Sequence, residues 1–445
     1  MHTEELFKTS LQLWRHPALT RAQIVAFQER KLRSLFAHAH RRVPYYRELL
    51  ERAGIGPREI RGLEDLAAIP VSTSQAFRTR PLDQIIAAGV NRDRLVVHNT
   101  SGSSGRPFTV RRGYWEEHLL NLFRIRAMRA LGVRFSDRSA QVVLTSGIGD
   151  SAKLSTTLPR RLRRAMGIFR DHQIDCLQPP EVIVDQLERL APDIIAGYPA
   201  VISMLAPLFA SRSSRVRAPR LVLTGAESLF PFKRQLIQRG FGARVFDTYG
   251  ANECNLLAWE CPVTGQYHTC DDSVVVEILR DGRHARPGEA GEVVITCLHS
   301  YAMPFIRYSL GDIATRGAEV CPCGQPFSTL TDIRGRLDDY FLLPDGRSIH
   351  PYEIDIPAII SREETFVRQY RLVQERVDRV VLEVVPARPA SQDELDDIRS
   401  AASSALGPEV EFCINLVDEL GLEASGKFQY RRSLVRSDYP PPDAG

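Results

Sequence analysis

The chain has 445 residues, 43% hydrophobic and 25% charged, with a formal net charge of +4. That length exceeds one ordinary domain, the composition is globular rather than disordered or fibrous, and the small charge argues against a nucleic-acid partner. The start, Met1-His-Thr-Glu-Glu5, lacks the apolar core of a signal peptide, and no stretch reaches the ~20 apolar residues of a membrane span. A cytoplasmic location is therefore expected, where the eight cysteines serve as thiols or metal ligands rather than disulfides.

Residues 20–42 place Ile24, Phe27, Leu35 and Phe36 on one face at helical spacing. Pro44 ends that helix, and Tyr45-Tyr-Arg-Glu-Leu-Leu50 starts another that stops near Gly54–Pro57. Leu63-Glu-Asp-Leu66 then leads to Ile69-Pro70. A β-rich run, Leu95–His98, enters a loop of hydroxyls and glycines, and a second extended run, Phe108–Val110, leaves it. Glycine tolerates positive φ and close backbone approach. Successive amides, with the hydroxyls of Thr100, Ser101, Ser103 and Ser104, can form a nest for phosphate oxygens. The Walker pattern is absent, since Arg106-Pro107 follows the last glycine. A plain hairpin is the competing reading. The basic run Arg160–Arg164 reads as a solvated helix face, with a landing site for an anionic tail as the alternative.

From about 95 to 335 strands and helices alternate. Gln141–Thr145, Asp193–Ala196, Leu221–Leu223 and Arg244–Phe246 read as strands; Glu181–Leu190, Tyr198–Ala210 and Pro231–Arg239 read as helices. The alternation predicts crossovers and a mostly parallel sheet, with ligands beyond the carboxyl ends of the strands. Thr224–Ser228 and Asp247–Glu253 fall there. After Arg334-Gly-Arg336 the pattern changes to an extended 340–343, a turn at Pro344–Gly346 and a short helix over Tyr352–Ile360. Antiparallel strands Phe366–Val373 and Val380–Val385, a capping-box helix from Ser391 and a last strand Val410–Val417 follow. The expected architecture is α/β: a large N-terminal domain, 1–335, with helices around mostly parallel sheets, and a small mobile α+β domain, 336–445. The tail at Tyr439-Pro-Pro-Pro442 is expected to be disordered.

Six pieces stand in order: Thr100-Ser-Gly-Ser-Ser-Gly105, Gly225-Ala-Glu-Ser228, Tyr249-Gly-Ala-Asn-Glu253, Arg307-Tyr-Ser-Leu-Gly-Asp312, Gly335-Arg-Leu-Asp-Asp339 and Ser425-Gly-Lys427. In this order the chain resembles the adenylate-forming acyl-CoA synthetase superfamily, and within it the phenylacetate–CoA ligase branch. Val43-Pro-Tyr-Tyr-Arg47, Leu63–Leu66 with Ile69-Pro70, and Pro304-Phe-Ile-Arg-Tyr308 echo the same branch.

The resemblance implies activation of a small aromatic carboxylic acid by ATP as acyl-AMP, then transfer to coenzyme A. It implies that Thr100, Ser101, Gly102, Ser103, Ser104 and Gly105 grip the phosphates and that Glu253 helps hold Mg²⁺. Gly225, Ala226 and Glu227 should border the adenine, with Asp247, Tyr249 and Gly250 beside the nucleotide. Asp312 should meet the ribose hydroxyls, Arg336 the ribose or phosphate, and Asp338 should be the hinge. Lys427 is the implied catalytic residue, an ammonium aimed at charge that is greatest in the transition state. Thr145, Ser146, Gly147, Tyr198 and Ala226 are candidates for the acid pocket. Arg106, where many relatives carry Lys, and Asn252, where Thr or Ser is frequent, depart from the family without removing a needed charge.

Cys261 and His268, with Cys321-Pro-Cys323, match a metal-site pattern found in parts of this branch, and three thiolates with one imidazole suit a closed structural Zn²⁺ site. Cys254 and Cys270 are alternative ligands, and buried free thiols are the plain reading. The expected partners are the acid, ATP and a diffusing acceptor, with no nucleic acid and no membrane; a homodimer is left open. Transfer to an amine, a non-catalytic nucleotide-binding protein and a zinc-ribbon nucleic-acid binder are the rival readings. Glu253 with Lys427 argues against the second, and the +4 charge against the third.

Overall fold

The computed structural model describes residues 12–56, 59–99, 108–145, 170–212, 217–336, 341–349, 354, 366–421 and 428–435. Helix α1 (Arg21–Arg42) opens on a capping box in which Thr20 Oγ1 accepts from Gln23 N and Gln23 Oε1 accepts from Thr20 N. It buries Ile24, Leu32, Leu35 and Phe36. Pro44 takes the first position of α2 (Pro44–Arg52), where its missing N–H costs nothing.

Two of the family-like phrases meet in space. Tyr46 Oη donates to Pro304 O at 3.0 Å and accepts from Ile306 N at 2.9 Å, so losing that hydroxyl would strand two buried backbone groups at about 1–3 kcal/mol each. Arg307, buried and at φ 47°, donates to Ile69 O at 2.6 Å, Ala67 O at 3.0 Å and Glu277 Oε1 at 3.1 Å. The helical opening is thereby tied to the sheet.

Strands β1 (Val96–Asn99) and β2 (Thr109–Arg112) form the expected antiparallel hairpin, with Val96 opposite Arg112. Helix α3 (Tyr114–Ala130) follows. Then come β3 (Arg138–Val143), β4 (Arg170–Asp175), β5 (Ile194–Gly197), β6 (Leu221–Gly225) and β7 (Arg244–Ala251), interleaved with α4 (Pro180–Leu190), α5 (Pro199–Ser211) and α6 (Pro231–Phe241). These five strands are parallel, in the order β4-β3-β5-β6-β7. Val142, Ile195, Val222 and Val245 share a core with Ile183, Leu187, Val201 and Ile237.

Beyond β7 the mostly parallel expectation gives way. Strands β8 (Asn255–Glu260), β9 (Tyr267–Thr269), β10 (Val274–Arg280), β11 (Arg283–His284), β12 (Ala290–Cys297), β13 (Tyr308–Arg316) and β14 (Thr329–Arg336) extend the same twelve-stranded sheet antiparallel, as β7-β8-β9-β14-β13-β12-β10-β11. No helix lies between them, and without a crossover a neighbouring strand returns antiparallel.

A two-stranded ribbon, β15 (Phe341–Leu342) and β16 (Ser348–Ile349), brackets the predicted turn. The remainder builds a separate sheet from β17 (Val367–Arg376), β18 (Arg379–Pro386), β19 (Glu411–Leu416) and β20 (Arg431–Ser433), in the order β19-β18-β17-β20, with α7 (Gln392–Leu406) packed on it. The expected last strand, Val410–Val417, is thus followed by one more. The basic tripeptide Arg431-Arg-Ser433 has no alternation to announce it. Ala200 and Phe230 from the large body join the apolar cluster of this second sheet. The predicted helix at Tyr352–Ile360 (Ile354 apart), the run Arg160–Arg164 and the Pro-rich tail lie outside the described residues. Among the described residues no helix is long and apolar enough to cross a membrane.

Candidate functional site

The carboxyl ends of the parallel strands converge on one surface. Strand β6 ends at Gly225, where an added Cβ would lie 2.6 Å from Thr248 Oγ1. Ala226 follows at φ 66°, a left-handed conformation that costs a non-glycine residue roughly 1–2 kcal/mol. That turn aims Glu227 at two backbone amides. Its Oε2 accepts from Ala200 N at 3.1 Å, capping a helix start that has no side-chain cap of its own, and its Oε1 accepts from Phe428 N at 2.8 Å. Glu227 therefore pins the small sheet's chain to the end of β6, one residue after Lys427.

Tyr249 on β7 donates to Asp312 Oδ2 on β13 at 2.5 Å. Four strand spacings of about 4.8 Å would separate these residues in a flat sheet, so the sheet curls back on itself. Burial, then the Asp312 charge, pushes the Tyr249 phenol well above its ordinary range. Glu253, also buried, is raised by burial and then by Asp312. Tyr308 Oη stands 3.4 Å from its Oε1. Asp312 lies opposite Arg336 across the β13–β14 pair. On the hairpin, Arg112 Nη1 donates to Glu117 Oε2 at 2.6 Å and His98 Nε2 lies 3.0 Å from the same oxygen. Arg112 Nε and Nη2 have no hydrogen-bond partner among the described residues, and the Arg112 charge pulls Glu253 down.

Asp247 makes hydrogen bonds within the fold through both oxygens. Thr224 Oγ1 donates to its Oδ1 at 2.6 Å and Tyr267 Oη to its Oδ2 at 2.8 Å, so both oxygens serve a buried brace between β6, β7 and β9. Gly250 approaches the neighbouring strand closely: a Cβ there would lie 2.4 Å from Asn255 O. Thr145, just past β3, donates to Asp175 Oδ2 at 2.8 Å, and half-buried Tyr198 caps α5 beside the same strand ends. Buried Cys176 stands there too, with burial and Asp175 raising its thiol to about 11.

A second constellation lies at the turn after β8. Cys261 and Cys321 Sγ atoms are 3.8 Å apart, and His268 Nε2 is 3.1 Å from Cys323 Sγ. All four candidate ligand atoms fall within 4.8 Å of one another. Trp259 leans on His268 at 5.6 Å and on Phe327 at 5.3 Å, with the Arg126 guanidinium 4.5 Å from the Phe327 ring. The cluster clips the β8–β9 turn to the β13–β14 loop, next to the pairing of His268 with Thr329. Cys254 and Cys270 are buried elsewhere and do not join it.

Thr100, Ser101, Gly102, Ser103, Ser104, Gly105, Ser146, Gly147, Asp338 and Lys427 lie outside the described residues, as does the Arg336 side chain. Arg112 and Tyr267 join the site without a sequence signal, whereas Tyr308 stood in two of the matched phrases with no role assigned to it.

No family model matches the chain. It is 28% identical over 392 residues to a phenylacetate-coenzyme A ligase of Thermus thermophilus, covering 83% of each chain, and 27% identical over 355 residues to one of Escherichia coli, covering 75% of each. Over most of its length the chain is similar to phenylacetate–CoA ligases. Its fold is that of the adenylate-forming ligases: a 2-hydroxyisobutyryl-CoA ligase in the postadenylation state with 2-HIB-AMP superposes with a TM-score of 0.77 at 22% identity, covering 94% of this chain and 91% of that one. The same ligase in its thioesterification state gives 0.63 at 21% identity, covering 94% and 92%.

Burial, chiefly, lifts Asp247 from 3.8 to about 6. The folded state therefore keeps a proton that the unfolded chain releases. Its contribution is fully present below about pH 4 and is lost as pH rises through 6, up to about 3 kcal/mol. In Asp247→Asn the fall in denaturant-measured stability from pH 4 to pH 7 should be smaller than in the parent; parallel curves would show that Asp247 titrates alike in the folded and unfolded chain.

Proposed function

We propose that the chain activates a small aromatic carboxylic acid with ATP and passes the acyl group to coenzyme A. The observation that carries this reading is the seating of Phe428 N on Glu227, which brings the chain next to Lys427 to the strand ends where Tyr249, Asp312 and Glu253 gather. The names of the relatives, phenylacetate-coenzyme A ligases, support the acid and the acceptor.

In the first step a carboxylate oxygen attacks the α-phosphorus of ATP, the bond to the bridging oxygen breaks, and pyrophosphate leaves. The Lys427 ammonium stabilises the charge gathering between acid and α-phosphate. Thr100–Gly105 hold the phosphates from the β1–β2 loop. Asp312 is the acceptor for the vicinal ribose hydroxyls, since a carboxylate offers about four lone-pair sites. Gly225–Glu227 present backbone to the adenine, and Thr145, Ser146, Gly147, Tyr198 and Ala226 line the acid side. A magnesium ion, when bound, neutralises phosphate charge. Glu253 suits it as a hard ligand, being a buried carboxylate raised by burial and by a like-charged neighbour.

In the second step the sulfur of coenzyme A attacks the acyl carbon, and AMP leaves with the electron pair of its bond to the acyl group. The small domain, hinged at Asp338, turns between the steps and takes Lys427 with it. The higher likeness to the postadenylation than to the thioesterification form supports an arrangement set for the first step.

The Cys261, His268, Cys321 and Cys323 cluster holds structural zinc in this reading. Its 3.8 Å sulfur separation matches the ~3.8 Å edge of a tetrahedron with Zn–S bonds of about 2.3 Å. Elemental analysis of purified protein should find one zinc per chain, and Cys321→Ser should lose it and melt earlier. Metal-free protein, or full zinc in the variant, would remove the assignment.

Lys427→Ala should slow adenylate formation from ATP and acid by roughly 10²–10³, yet pass synthetic acyl-AMP to coenzyme A at close to the parent rate. Equal slowing of both halves, or of neither, would end the two-step assignment.

A further inference from the structure

Helix α6 buries a lysine near its start: Lys233 is 3% exposed. Its Nζ lies 3.5 Å from the ring centroid of Tyr430, 5.7 Å from Phe230 and 5.9 Å from Phe232. It has no hydrogen-bond partner among the described residues. Phe230 and Phe232 belong to the large body, whereas Tyr430 belongs to the small one and meets Phe230 edge-on at 5.4 Å. Phe428, whose amide is seated on Glu227, packs on Tyr430 at 4.5 Å. The lysine therefore sits in the seam, inside a box that exists only while the two bodies are docked.

Three rings attract an ammonium, but an ammonium taken from water without an acceptor loses more than cation–π contact returns. The charges around it do not repair the loss, since Glu227 attracts it while Arg431 repels it, and burial carries Lys233 down to about 7. The apolar contacts of the seam pull the bodies together, and the buried amine pushes them apart.

We propose that Lys233 is a positioning residue that keeps the docked arrangement reversible, buried while the 428–433 segment presents Lys427 and returned to water when the small domain turns for the thioester step. This rests on the two-step reading above. A seam of Phe230, Phe232, Phe428 and Tyr430 closed over an apolar residue would hold the first arrangement too firmly.

Lys233→Met keeps the volume and removes the amine. It should form adenylate at the parent rate, transfer from preformed acyl-AMP to coenzyme A on the order of tenfold more slowly, and melt no earlier than the parent, because one buried charge is gone. Lys233→Arg cannot shed its charge, so it should do the reverse, slowing adenylation and sparing transfer. A merely structural lysine would move both halves together. Transfer by Lys233→Met at the parent rate overturns the proposal, and if Lys427→Ala has meanwhile separated the halves, the two-step reading survives that failure. If Lys427→Ala slows both halves equally, the two-step reading falls and Lys233 loses its role with it.

Discussion

The hydrogen bond from Tyr249 to Asp312 records the constraint on which the site depends. Those residues belong to strands that are not neighbours in the sheet, and they meet only because the antiparallel half of the sheet curls around. That curl places the Asp312 carboxylate beside the buried Glu253 at the mouth of the parallel half. The buried Glu253 and the half-buried Asp312 repel one another, and Glu253 loses solvation, an arrangement that folding alone does not favour. The cysteine–histidine cluster stands on the same curl, fastening the β8–β9 turn to the β13–β14 loop.

The second dependency is Glu227. One carboxylate serves a helix start in the large body and a backbone amide in the small one, so the strand-end turn that displays Ala226 also docks the chain that carries Lys427. Lys233 lies a few residues further along, in the seam that this docking creates. Attraction through Glu227 and the cost of burying the Lys233 amine oppose one another at this interface.

Local signals in the sequence foretold local structure. Ser391 with Glu394 opened its helix as the sequence chemistry requires, and the alternation of strand and helix located β3, β5, β6 and the start of β7, whereas β4, whose Arg170-Asp-His-Gln-Ile-Asp175 is mostly polar, was not foreseen. What sequence could not foretell were long-range pairings. The run after Phe246 continues as strand to Ala251 because β8 folds back on it, and the antiparallel half has no helix whose periodicity would betray its order. Nor could sequence foretell that the Asp247 carboxylate accepts from both Thr224 and Tyr267, or that the Glu227 side chain spans the two bodies. Gly225, Tyr249, Glu253 and Asp312 do come together at the strand ends. Tyr46 bonding to Pro304 and Ile306 gives a physical reason for two short phrases that sequence could only match by likeness.

The most direct measurement of the central claim is pyrophosphate release by the purified protein with ATP and magnesium across a panel of aryl and fatty acids, with and without coenzyme A. The account predicts release with aryl acids, an acyl-adenylate detectable by mass spectrometry when coenzyme A is withheld, and its conversion to acyl-CoA and AMP when coenzyme A is added. Release of phosphate rather than pyrophosphate, or adenylate that persists in the presence of coenzyme A, would contradict it.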